Sequence, residues 1–178
     1  MMLAVVGSGV YKTFLYLHIL SAIVGFGAVV LNGVYAAQVR KRPGREGQAI
    51  FEANSFVSVH IAEYVIYAVF VFGFITAIIG KPAVKFSQAW LSTSMVLYLV
   101  GIAITHAVMI PSTKRMGVLL NELNAGPPPG AGATGPPPQV AEVQAVGKRL
   151  AMGGMVLNLL LVVILFLMVV KPGLNTAL

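Results

Sequence analysis

The residues of this chain best suited to chemistry are three histidines and one glutamate that lie inside long apolar segments. They are His18, His60, Glu63 and His106. A neutral imidazole is a good ligand for haem iron, and a carboxyl group beside an imidazole can share a proton with it. Because the chain has no cysteine, thiolate metal sites and disulfides are excluded. The sequence therefore favours histidine ligation or proton exchange between histidine and glutamate.

His60 and His106 form the best candidate pair of ligands. By residue count, both lie about 5–8 Å from the same end of their apolar segments. They could supply two axial imidazoles to a haem b, and Gly101 could leave room for the macrocycle. His18 lies towards the opposite end, so a zinc or copper site built from all three histidines and Glu63 is not expected. No serine, histidine and acid share a plausible site for hydrolysis, and we expect no catalytic residues.

Four apolar segments must position these side chains. They run over about 13–37, 57–80, 88–111 and 150–170. Each is long enough to cross a hydrocarbon core of ~30 Å at about 1.5 Å per residue. Since 58% of the residues are hydrophobic and 10% are charged, little remains for a soluble domain. We predict an all-α membrane protein, a four-transmembrane-helix antiparallel bundle that forms a single domain over residues 1–178.

The few polar and small residues of these segments are expected to face the interior of the bundle. A polar group without a hydrogen bond is costly when it faces lipid. We predict one polar cluster in the inner half of the bundle and several small residues at helix contacts. The cluster comprises Asn32, His60, Glu63, Tyr64, His106 and Asn158, and the helix-packing residues are Ser21, Gly25, Gly101 and Gly154.

Basic residues distinguish the two ends of the predicted bundle. The connections at 38–56 and 112–149 carry eight of the twelve Lys and Arg residues, which predicts that these loops are cytoplasmic and that both termini are outside. Basic residues at span ends favour contact with anionic headgroups, so the net charge of +7 does not indicate nucleic acid. Trp90 suits an interfacial anchor, and the low-complexity Pro/Gly loop at about 122–139 is expected to be mobile unless a partner holds it.

Two short segments resemble a known group of membrane proteins. The segments Leu15-Tyr16-Leu17-His18-Ile19-Leu20-Ser21 and Ile104-Thr105-His106-Ala107-Val108-Met109-Ile110-Pro111 are similar to a bacterial family of four-helix integral membrane proteins, distantly CopD/HemJ-like. The similarity covers roughly residues 11–116. In HemJ-like proteins, membrane histidines are associated with haem, so the resemblance implies haem at His18, His60 and His106. The chain lacks the full set of basic and aromatic positions of HemJ-like proteins, and the resemblance does not imply their protoporphyrinogen oxidation.

These observations lead to two functional hypotheses. We predict a non-catalytic accessory or stabilising subunit of a larger bacterial inner-membrane complex, such as a lipid-import transporter or a respiratory assembly. The loops are too short for an active domain, and small residues on the spans allow another helix to dock. Its partners would be the lipid bilayer and a larger integral membrane protein complex, with no nucleic acid and no cofactor. The alternative is a haem-b-binding redox protein that uses His60 and His106. A transporter or channel is disfavoured, because four spans conduct only as an oligomer and no internal repeat is present.

Overall fold

The computed structural model describes residues 6–81, 83–126 and 138–173. Four long helices account for most of them: α1 (Gly9–Lys41), α2 (Arg45–Ile79), α3 (Ala89–Ala125) and α4 (Pro138–Val170). All four are long and apolar enough to cross a membrane, and the described ranges contain no strand. The predicted fold class, an all-α four-helix membrane bundle, is confirmed. Residues 127–137 of the predicted Pro/Gly loop lie outside the described residues.

At one end of the bundle the helices continue well past the apolar segments. The helix α2 begins at Arg45, α3 continues to Ala125, and α4 begins at Pro138. The connections at 38–56 and 112–149 are therefore largely helical. The sequence predicts this for two parts of them: a short helix at 48–56, and an extension of span four over 139–149, where Val140, Val143 and Val146 have helical spacing. Twelve to fourteen residues of helix beyond a span correspond to a projection of about 20 Å. We call this part the basic end, because it holds most of the Lys and Arg residues; its assignment to the cytoplasm stays a prediction.

A small apolar core holds the basic end together. Met116 and Leu119 of α3 pack with Val146 of α4, and Phe51 of α2 packs against them. Leu119 is completely buried. Burying a leucine side chain contributes about 1.5–3 kcal/mol, so this contact orders the helix ends outside the lipid. The basic end is thus a packed helical extension of the bundle.

A tight turn joins α1 to α2 at the basic end. Arg42 caps α1, and Gly44 precedes α2 with a φ of 81°, a conformation that glycine adopts without strain. A Cβ atom on Gly47 would collide with the carbonyl oxygen of Arg42. The first turn of α2 therefore lies directly against the end of α1, and only glycine fits at position 47.

The other end of the bundle is held by aromatic packing. Trp90 and Leu91 at the start of α3 form a buried cluster with Ala77 of α2. The Trp90 side chain is only 6% exposed, and the ammonium of Lys171 lies 5.4 Å from its ring centroid. Trp90 is therefore packed against protein, and its role as an interfacial anchor stays a prediction. We call this part the Trp90 end.

Two π-helical turns interrupt the regular hydrogen bonding, one in α2 and one in α3. They run over Ser58–Ala62 and Thr105–Met109, and they contain His60 and His106. The N–H of Glu63 donates to the carbonyl of Ser58, and the N–H of Ile110 donates to the carbonyl of Thr105. Each turn adds one residue to the helix, so all following side chains are rotated by about 100° relative to a regular α-helix.

The second π turn also explains how α3 continues through Pro111. The sequence predicted that the helix ends at this proline. Pro111 instead occupies the first turn of the α-helical segment Ile110–Ala125 that follows the π turn. A proline there breaks no regular hydrogen bond, because the first N–H groups of an α-helical segment have no α-helical partner. The helix therefore passes through Pro111 without ending.

Candidate functional site

The helices pack as two close pairs, and a cavity lies where the pairs meet. The helix α1 lies along α2, and α3 lies along α4. All four helices line the cavity, which has a volume of about 80 Å³. Two or three water molecules fit in this space at about 30 Å³ each. Most of its wall is aliphatic, and its polar groups are Glu63, Tyr67, Tyr98, Thr105 and His106.

Three of these polar groups form one hydrogen-bonded cluster, which we call the Glu63–Tyr67–His106 triad. The hydroxyl of Tyr67 donates to Oε1 of Glu63 at 2.9 Å and lies 2.5 Å from Nε2 of His106. Nε2 of His106 is 3.8 Å from Oε1 of Glu63. The rings of Tyr67 and His106 are nearly parallel, at 5°, with centroids 6.2 Å apart. The tyrosine therefore links the carboxyl group of α2 to the imidazole of α3.

The π turns decide which side chains reach the triad. Glu63 follows the turn in α2 directly, and Tyr67 is one helical turn further on. His106 lies inside the turn in α3. In a regular α-helix, Glu63 and Tyr67 would lie on the same face as His60, and the π turn at Ser58–Ala62 rotates them away from it. In this helix Glu63 and Tyr67 line the cavity, whereas the Tyr64 side chain is 69% exposed on the outside.

The remaining polar groups of the cavity bond to backbone carbonyls. The hydroxyl of Tyr98 donates to the carbonyl of Ile66 at 2.7 Å and ties α3 to α2. Thr105 donates to the carbonyl of Gly101 at 3.0 Å within α3. A Cβ atom on Gly101 would lie 3.8 Å from the Leu157 side chain, an ordinary contact distance. Gly101 thus lines the cavity, as the haem prediction requires, without being needed for helix packing.

The other two histidines lie outside the triad. Nδ1 of His18 donates to the carbonyl of Val69 at 2.8 Å and joins α1 to α2. Nδ1 of His60 lies 3.1 Å from the carbonyl of Phe56 in its own helix, and its ring stacks on that phenylalanine with centroids 4.6 Å apart. Ligation of haem b by His60 and His106 stays a prediction. In this conformation Nε2 of His106 is bonded to Tyr67, and the cavity is smaller than a porphyrin.

Asn32 contributes to a second polar contact, between α1 and α2. The single hydrogen of the Ser58 hydroxyl is shared between two acceptors, Oδ1 of Asn32 at 2.9 Å and the carbonyl oxygen of Asn54 at 2.8 Å. Gly25 lets α2 approach, because a Cβ there would be 3.4 Å from the side chains of Val65 and Ile66. Asn158 donates to the carbonyl of Gly154 within α4 at 2.8 Å. The polar residues predicted to form one cluster thus lie in several separate places.

Tyr67 is the functional candidate that the sequence did not single out. In the sequence it shares a helical face with Glu63 and is interpreted as a packing residue, so the predicted polar cluster does not include it. The available signal was its position four residues after Glu63, which places both side chains on one helical face. That spacing indicates a hydrogen-bonded site only when His106 of another helix is known to lie within hydrogen-bond distance of the Tyr67 hydroxyl.

A family model described as a predicted integral membrane protein (DUF2269) matches residues 12–172. Because the match covers most of the chain, the protein belongs to this family of integral membrane proteins. No curated protein and no solved structure matches the chain. The more distant CopD/HemJ-like resemblance stays a prediction.

Proposed function

We propose that this integral membrane protein is a non-catalytic accessory or stabilising subunit of a larger complex in the bacterial inner membrane. The observation that carries the proposal is an open groove between α1 and α2 on the side of the bundle. Its volume is about 440 Å³, and it is lined by α1 from Ile23 to Tyr35 and by α2 from Ala53 to Ala62. A groove of this size in the membrane must be filled by acyl chains or by another helix.

The composition of the groove favours a helix. Gly27 and Ala28 line it, and no atom lies within 4 Å of the position that a Cβ on Gly27 would take. Membrane helices associate through small residues of this kind, because these residues let two backbones approach closely. The exposed side chains of Ile23 and Leu31, which also line the groove, add apolar contact area.

Asn32 adds a polar contact that lipid tails would not use. Its side-chain oxygen accepts from Ser58, and in the described part of the chain no hydrogen bond from its N–H groups is present. A backbone carbonyl of an incoming helix would accept such a bond. In a membrane an interhelical hydrogen bond of this type contributes about 0.6–2 kcal/mol. The groove thus combines close approach with one polar contact.

The basic end supports the same role. Its packed helices project beyond the lipid and are ordered by an apolar core and by the Arg115–Glu142 ion pair. A subunit built in this way contacts a partner both inside the membrane and in the aqueous phase beside it. The identity of the co-purified partner distinguishes a lipid-import transporter from a respiratory assembly.

The test fills the groove and leaves the rest of α1 unchanged. In Gly27→Leu the new side chain occupies the groove. Gly33→Leu is the matched control, because the Cβ position of Gly33 also has no neighbouring atom within 4 Å and Gly33 does not line the groove. Each variant is expressed in its native membrane, extracted gently and purified with its bound proteins. We expect the wild type and Gly33→Leu to co-purify with the same larger membrane protein in fixed stoichiometry. The amount of that protein bound to Gly27→Leu should be lower than in the wild type by about tenfold or more.

Two results would contradict the proposal. In the first, all three proteins purify alone or only as copies of this chain. In the second, a larger complex is present and Gly27→Leu retains it at the wild-type level. Thermal unfolding of each variant verifies that the substitutions leave the bundle folded.

A further inference from the structure

The Glu63–Tyr67–His106 triad has a property that an accessory role does not require. The Tyr67 hydroxyl carries a single hydrogen, yet it lies within hydrogen-bond distance of both Glu63 and His106. If it donates to one of them, the other must donate to it. A deprotonated carboxylate cannot donate, and neither can an imidazole nitrogen that lacks hydrogen. The positions of the protons on the two partners are therefore linked.

Two arrangements with a net charge of zero satisfy both hydrogen bonds. In the first, protonated His106 donates through Nε2–H to Tyr67, and Tyr67 donates to the carboxylate of Glu63. In the second, the protonated carboxyl of Glu63 donates to Tyr67, and Tyr67 donates to the neutral imidazole. To pass from the first to the second, the Nε2–H bond breaks as a new O–H bond forms on Tyr67, whose original proton moves to Oε1 of Glu63. A third arrangement has one proton fewer: the Nε2–H of a neutral imidazole donates to Tyr67, and Tyr67 donates to the carboxylate of Glu63.

The surroundings of the triad favour this neutral state. The cavity wall from α1 consists of Phe26 and Val29, and the wall from α4 consists of aliphatic residues. Neither helix therefore supplies a titratable group to the cavity. The other titratable lining residue is Tyr98, whose hydroxyl bonds to a backbone carbonyl. No lysine or arginine lines the cavity in the described residues. Loss of the shared proton would leave one net negative charge in an apolar cavity, which is costly.

A route for the proton is also present. The His106 side chain is 47% exposed, and the Glu63 side chain is 24% exposed. The cavity has room for two or three waters beside them. The exposed face of a side chain within a span meets lipid, so the waters in this cavity would carry protons to and from His106.

From these contacts we infer that the Glu63–Tyr67–His106 triad is a proton-binding site. It holds one proton shared between the carboxyl of α2 and the imidazole of α3, and the Tyr67 hydroxyl transfers it between them by reversing its hydrogen bond. The inference is independent of the accessory role, because it concerns the inside of the bundle rather than the α1–α2 groove.

The test follows the protons on both partners in the full chain. The protein is placed in lipid nanodiscs with labelled histidine nitrogens and glutamate carboxyl carbons, and NMR spectra are recorded as the pH is varied. In the wild type we expect the signals of His106 and Glu63 to change together in coupled steps. Tyr67→Phe removes only the linking hydroxyl, so the two groups should titrate separately.

Tyr64→Phe is the matched control, because Tyr64 is a neighbour in the same helix and points out of the bundle. It should titrate like the wild type. Glu63→Gln is a second variant. It removes the carboxyl group that shares the proton with His106, so the coupled steps should be lost. The inference is overturned if Tyr67→Phe or Glu63→Gln titrates like the wild type. It is equally overturned if Glu63 and His106 of the wild type titrate independently.

Discussion

The contact between His18 and Gly73 allows the helix packing to be tested quantitatively. A Cβ atom on Gly73 would lie 2.7 Å from Cε1 and 2.8 Å from Nδ1 of His18. The imidazole cannot simply turn away, because its Nδ1 is bonded to the carbonyl of Val69 at 2.8 Å. Gly73→Ala therefore forces the ring to move and breaks the hydrogen bond between α1 and α2.

The expected cost follows from three contributions. Overpacking costs about 1–3 kcal/mol. The lost hydrogen bond costs about 0.6–2 kcal/mol. Replacing glycine by alanine within a helix stabilises the helix by about 1 kcal/mol. The net loss of stability should be about 0.6–4 kcal/mol. In a His18→Ala background the clash is gone, so Gly73→Ala should be neutral or stabilising by up to about 1 kcal/mol.

A double-mutant cycle measures this coupling. Unfolding in mixed micelles with increasing SDS is followed by circular dichroism and by the fluorescence of Trp90, the single tryptophan of the chain. Gly33→Ala is the control on α1, since no atom lies within 4 Å of its Cβ position. We expect a coupling free energy of about 2 kcal/mol between His18→Ala and Gly73→Ala. If the two effects add within about 0.5 kcal/mol, the ring does not occupy this space and the reasoning is refuted.

Two further predictions concern the basic end. Gly47→Ala should lower the free energy of unfolding by about 3 kcal/mol or more, because the new Cβ would meet a backbone carbonyl oxygen that has little freedom to move. The same SDS unfolding measures this loss. An unchanged unfolding midpoint would show that the turn at 42–44 adapts to the substitution. The Arg115–Glu142 ion pair should make stability depend on pH, since the hydrogen bond from Arg115 lowers the pKa of Glu142 below its ordinary value of 4.5. A lowered carboxyl pKa stabilises the fold above pH 4.5, and this contribution disappears as the pH falls through the folded-state pKa. Thermal unfolding of wild type and Glu142→Gln should therefore differ at pH 6 and converge towards about pH 3; an equal difference at both values would contradict this assignment.

The sequence predicted the membrane crossings well and the helix ends only in part: the extension of α4 before the span was predicted, and the extension of α3 beyond Pro111 was not. Hydropathy detects where lipid begins, and a helix can continue past that point if other contacts stabilise it. The apolar core around Leu119 does so for α3 and α4, although its residues lie among polar ones. Pro111 gave a misleading stop signal, because the preceding π turn leaves it in the first turn of a new helical segment.

The candidate site was predicted only in part. Glu63 and His106 were expected to lie close together in the inner half of the bundle, and the structure brings them within 3.8 Å. Tyr67 was expected to pack rather than to link them. His60, Asn32 and Asn158 bond elsewhere, because position along a span does not specify the direction of a side chain.

Apolar composition by itself determined that this chain forms four membrane helices, since no other structure satisfies the backbone of such long apolar segments in lipid. The rarity of polar residues in these helices also indicated where chemistry should be sought. Only the tertiary structure decided which of these residues meet. The two π turns rotate everything that follows them by about 100°, and no residue type marks a π turn in advance. In α2 that rotation turns Glu63 and Tyr67 away from the face of His60, and both of them reach the triad with His106 whereas His60 does not.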